Sequence, residues 1–186
     1  MPFDLGNLLQ QYLGGAAAPA QQTEEHFDQA SQNAPPDVLS AGLAAMFRSS
    51  DTPAFGQMAG QLFGQASSSQ QAGMLNQLIA AMGPAVLASL LNKGGQQGGG
   101  GALGGLGGLL GQLTGGDNES PVLTPDQASQ ITPEQVQILA NHAEQTNPGI
   151  IDQMSSFYAE HPTLVKTVGS AALAIALAKI AERTRA

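Results

Sequence analysis

What this chain can fold into is set first by where proline and glycine cut it. Five prolines directly follow a residue suited to open a helix: Thr52-Pro53, Thr124-Pro125, Thr132-Pro133, Asn147-Pro148 and His161-Pro162. A threonine or asparagine at the N-cap bonds free N–H groups of the first turn. Proline at the next position pre-sets the backbone and brings no N–H that would go unpaired. Two of the five are copies of one signal, Thr124-Pro125-Asp126-Gln127 and Thr132-Pro133-Glu134-Gln135. In each, the glutamine three residues after threonine can complete a capping box. Pro35-Pro36 breaks the chain again, and Gly64 and Gly83-Pro84 are further stops. No stretch alternates apolar and polar residues as a half-buried strand does, and aromatic residues are only 4% of the chain. The expectation is an all-α fold of short helices.

Apolar spacing fills in the helices. Thr23 is placed to cap a helix running to about Asn33, with Glu24, Glu25 and Asp28 as its solvated acidic start. Val38, Leu39, Leu43, Met46 and Phe47 form one stripe. Phe55, Met58, Ala59, Leu62 and Phe63 form a second, and Met74, Leu75, Leu78, Ile79 and Met82 a third, resumed after Gly83-Pro84 by Val86, Leu87, Leu90 and Leu91. Met46, Met58, Met74 and Met82 all lie on these stripes. Core filling is the first reading for them and an adaptable binding groove the second. Beyond residue 121 the order is a short helix near 125–130, then 133–146, 148–160 and 162–184. Joints this short force sharp turns and suggest a small orthogonal bundle. From Thr167 to Ala178 the chain carries no charge, and its apolar residues go all round the helix. At about 18 Å it is too short for a bilayer core of about 30 Å. It is either the central helix of a C-terminal bundle or a surface buried against another subunit or a membrane.

Composition changes abruptly over 94–116, GGQQGGGGALGGLGGLLGQLTGG. The expected organisation is two small helical bundles: an amphipathic helix and tether (1–22), an N-terminal helical module (23–93), a Gly/Leu-rich linker (94–120) and a C-terminal helical module (121–186). Two leucine stripes lie outside the modules. Leu5, Leu8, Leu9, Tyr12 and Leu13 have helical spacing before Gly14-Gly15. Leu103, Leu106, Leu109, Leu110 and Leu113 repeat every three or four residues among glycines. Each glycine disfavours a helix by about 1 kcal/mol relative to alanine, while each buried leucine returns about 1.5–3 kcal/mol. That segment is therefore either a helix that orders against a partner surface or a plain linker with chance leucines. These ten residues are the candidate interaction residues.

Charge and residue type exclude several functions. The chain has 14 acidic and 6 basic residues, a net charge of −8, and no basic patch. Nucleic-acid binding needs such a patch, so no nucleic-acid partner is expected. There is no cysteine, hence no disulfide or thiolate chemistry. The first residues carry Asp4 and no Lys or Arg, unlike a secretory leader, so a cytoplasmic location is expected. Gly99, Gly101 and Gly104 match a dinucleotide fingerprint, but no strand precedes them. His26, His142 and His161 do not pair at helical spacing, so no metal site is expected. No paired carboxylates or serine nucleophile stand out. The expectation is a protein without enzymatic activity or cofactor.

The Gly/Leu middle, GALGGLGGLLGQLTGG, followed by LTPDQASQITPEQVQIL, resembles the YidB-like bacterial proteins of unknown function, as does the opening Phe3-Asp4 with its leucine-rich helix. The resemblance spans the N-terminal helix and the stretch from the Gly-rich middle to about residue 140; the tail from Asn147 departs from it. It implies a small helical bacterial protein and no catalytic residues. The function expected is a non-enzymatic interaction or assembly protein that docks through helices onto a protein partner or itself, as a homo-oligomer. The alternative is a peripheral membrane or envelope-associated protein docking through its amphipathic and apolar helices.

Overall fold

Both Thr-Pro-x-Gln copies fold as capping boxes. Thr132 Oγ1 accepts from the Gln135 N–H at 3.3 Å while Gln135 Oε1 accepts from the Thr132 N–H at 3.0 Å. Thr124 and Gln127 repeat the exchange at 3.4 and 3.0 Å. The computed structural model describes residue 12, residues 19–95 and residues 122–184, with the backbone alone over 84–95. Its elements are α1 (Ala20–Asn33), α2 (Pro36–Phe47), α3 (Phe55–Gln65), α4 (Ser68–Gly95), α5 (Pro125–Ala128), α6 (Pro133–Thr146), α7 (Ile150–Glu160), α8 (Pro162–Val165), a 3-10 turn (Lys166–Val168) and α9 (Ser170–Thr184). Among the described residues there is no strand. The chain is all-α.

Three local expectations are corrected. Thr23 does not cap α1. The helix starts at Ala20 behind extended Pro19, and the Thr23 hydroxyl, a turn inside, donates to the Pro19 carbonyl at 3.3 Å. Glu24 and Glu25 therefore fall after the first turn, and Asp28 pairs with Lys166 at 2.8 Å. Thr52 does not cap α3 either. Its hydroxyl donates to the carbonyls of Met46 (2.7 Å) and Ser49 (2.9 Å), a second donor for two carbonyls that the Ser49 and Thr52 N–H groups also reach in the turn after α2. Finally, the expected helix 162–184 is broken. Gly169 sits at φ 101°, a conformation side-chain-bearing residues rarely adopt, and it separates the 3-10 turn from α9. Gly83 does the same inside α4, at φ 73° and ψ 164°, where Gly83-Pro84 marks an interruption.

Packing divides the chain into two compact units, Met1–Met58 with Ile151–Ala186, and Ala59–Ile150. This differs from the modules read in sequence order, because amphipathic spacing shows which face is buried but not which helix covers it. In the first unit α9 packs against α2 and α1. Its buried face is Ala172, Leu173, Ala176, Leu177, Ile180 and Ala181, while Ile175 is only half-buried. Gly42 in α2 admits this approach: a Cβ there would run into the Ile180 side chain and lie 3.1 Å from the Ala176 carbonyl. The apolar tail is thus core, though not of a C-terminal bundle. Phe27, Leu43, Met46 and Tyr158 complete this core.

In the second unit α4 packs against α5 and α6. Asn76 of α4 clamps the chain before α5: its Oδ1 accepts from the Leu123 N–H at 2.8 Å and its Nδ2 donates to the Leu123 carbonyl at 3.2 Å. Asn147 Nδ2 donates to the Ala81 carbonyl at 3.3 Å. Gly60 of α3 would bring a Cβ to 2.7 Å from the Pro133 carbonyl, so only glycine fits that crossing. Leu62, Phe63, Met74, Leu75, Leu78 and Leu139 form the core. All four stripe methionines are buried, in agreement with core filling.

Candidate functional site

Most titratable side chains with a visible partner hold the fold together. Arg48, just beyond α2, forks onto Asp152 in the first turn of α7, Nη1 to Oδ1 at 2.9 Å and Nη2 to Oδ2 at 2.8 Å. The hydrogen bond from Arg48 holds the Asp152 carboxyl below the usual carboxylate range, against a smaller opposing effect of burial and with help from the guanidinium charge. Lys166 in the 3-10 turn reaches Asp28 of α1. His161 Nδ1 lies 2.9 Å from the Phe157 carbonyl and its ring stacks on Phe157 at 4.5 Å. Among the described residues no group of three or more His, Asp or Glu is placed to hold a metal ion. Tyr158 is fully buried beside Phe47, its hydroxyl has no hydrogen-bond partner among the described residues, and burial pushes its ionisation up.

Of the ten candidate interaction residues, only Tyr12 is among those described. Leu5, Leu8, Leu9, Leu13, Leu103, Leu106, Leu109, Leu110 and Leu113 lie outside them. Tyr12 is helical and buried, and its partner is His26 in α1. The hydroxyl lies 2.8 Å from His26 Nδ1, with the rings edge to face and centroids 5.7 Å apart. Sequence spacing marks His26 only as a helix residue without a histidine partner, so this pairing is new. Nothing in the sequence signals Arg48 and Asp152 either, since they are 104 residues apart.

No family model matches this chain, and no curated protein or solved structure is significantly similar to it. Function must therefore be argued from the chain itself. Among the described residues no helix is long and apolar enough to cross a membrane. Among the described residues, the large apolar side chains that stay exposed are Val122, at 67%, and Ile138, at 38%. Both belong to the second unit. Val122 stands two residues beyond the Gly/Leu-rich segment, nine residues after Leu113.

Proposed function

We propose that this is a non-enzymatic helical interaction or assembly protein that docks through its leucine stripes, with a second copy of the chain as first partner. The observation that carries the reading is Val122. Most large apolar side chains of the described helices are covered within their own units, whereas Val122 leaves its apolar surface in water nine residues after the Leu103–Leu113 stripe. A docking face presents contiguous apolar surface, and Val122 would supply one side chain of it. The titratable pairs give independent support, because Arg48–Asp152 and Lys166–Asp28 join distant parts of the fold. Kinship with the YidB-like bacterial proteins and a cytoplasmic location belong to the same reading; neither assigns a chemistry.

Size-exclusion chromatography with light scattering tests the proposal. The expected result is a mass above the 18.9 kDa of one chain at micromolar concentration, returned to one chain by Leu106→Asp with Leu110→Asp. A single-chain mass at every concentration, with co-sedimentation on lipid vesicles, transfers the stripes to a membrane role instead.

A further inference from the structure

The contacts that build this fold run across the Gly/Leu-rich middle of the chain. Among the described residues the main helix pairings, α9 with α2, α9 with α1, α4 with α5 and α4 with α6, each join a helix before residue 96 to one after residue 121. The side-chain links follow the same division. In the first unit Arg48 forks onto Asp152, and Asp28 pairs with Lys166. In the second, Asn76 holds Leu123 by both its N–H and its carbonyl. Each unit is therefore built from two parts of the chain, 20–95 and 122–184. No described helix or capping box runs from one part into the other. Helices this short are marginal without tertiary cover, so each part depends on the other.

The covalent link between the parts is residues 96–121, which number 26 and include 11 glycines. Fully extended, such a stretch reaches about 90 Å, against about 30 Å for the diameter of a small domain. A neighbouring molecule is thus within its span. We propose that the surface presented by α1, α2 and α4 takes α5 to α9 from a second copy of the chain as it takes them from its own. The occupant follows from the contacts, because a second copy brings the same Asp152, Lys166 and Leu123 to the same partners. Exchange between identical chains makes no new contact and loses none, which makes it a ready route to dimers. The chain's own part is favoured by proximity alone, at an effective concentration in the millimolar range. The leucine stripes take no part in the exchange, so it is independent of the docking reading.

Mixing two full-length variants tests this, read by thermal circular dichroism. One carries Leu43→Asp with Leu75→Asp, which spoils its residues 20–95 in both units. The other carries Leu139→Asp with Leu177→Asp, which spoils its residues 122–184 in both units. All four leucines are fully buried, and an unpaired carboxylate is strongly disfavoured in an apolar core. Each variant alone is expected to lack a cooperative melt. In the mixture the sound part of one can pair with the sound part of the other. A folding equilibrium constant of about 5,000 or more, divided into a millimolar effective concentration, gives that pairing a dissociation constant of about 1 µM or tighter. A cooperative helical transition is therefore expected to return at about 50 µM of each variant. A mixture whose curve is the mean of the two separate curves overturns the exchange. A variant that melts cooperatively alone overturns it too, since its parts then hold without the contacts that join them. Repeating the mixture with Leu106→Asp and Leu110→Asp in both chains separates the two readings. Recovery is expected to persist there; recovery lost in that background overturns the exchange and returns the association to the stripes.

Discussion

Tyr158 shows how a residue can serve packing at the expense of its polar atom. Its ring fills the first unit against Phe47, and its hydroxyl is buried without a partner among the described residues. An unmade buried hydrogen bond costs about 1–3 kcal/mol. Tyr158→Phe is therefore expected to leave stability unchanged or raise it by about 1 kcal/mol, and urea denaturation checks it. Leu177 and Ile175 make the opposite test. Leu177 is fully buried in α9 while Ile175 is half-buried. Leu177→Ala is expected to lose about 2–5 kcal/mol and Ile175→Ala clearly less, by the same titration. Both residues lie in the apolar run, and spacing alone made either a fair core candidate. Gly60 illustrates the backbone limit. Its missing Cβ is what lets the Pro133 carbonyl approach, so Gly60→Ala is expected to lower the melting temperature, by a loss of about 1–3 kcal/mol.

At the scale of elements, the helix ends divide into those written locally and those decided by neighbours. Thr124 and Thr132 are legible because a capping box closes within four residues. Thr132→Ala is expected to lose about 1 kcal/mol, measured by thermal denaturation. Thr23 and Thr52 carry the same residue type and donate to carbonyls instead, because the helices beside them begin or end elsewhere. The link between the end of α2 and α7 has a pH dependence of known sign. Asp152 titrates lower in the folded chain than in the unfolded one, where its ordinary value is 3.8. Its contribution is thus fully present above that value and is lost as pH falls through the lower folded value. The Arg48 and Asp152 side chains are 46% and 61% exposed, so solvent screening holds the contribution to at most about 1 kcal/mol. The stability gap between parent and Asp152→Asn is expected at neutral pH and should close well below pH 3.8.

At the scale of the whole molecule, the first unit is assembled from the two ends of the sequence. The stretch 121–186, which reads as a module of its own, contains α9 without the α1 and α2 that cover it. A fragment 121–186 is therefore expected to show weak, non-cooperative helical circular dichroism, because helices of this length are marginal without tertiary cover. A cooperative melt of that fragment would show that α9 finds its cover locally. Neighbouring residues suffice for the helical class, the stops at Pro35-Pro36, Gly83 and the two capping boxes, and the apolar face of most helices. Those features arise from interactions within one or two turns, and the sequence by itself determined them. Which face meets which helix was decided only in the tertiary structure. The pairing of α9 with α2 through Gly42, the Arg48–Asp152 bridge and the seat of Tyr12 on His26 join residues far apart in the chain. Their geometry depends on how side chains of distant helices interlock, a fit that no local spacing encodes.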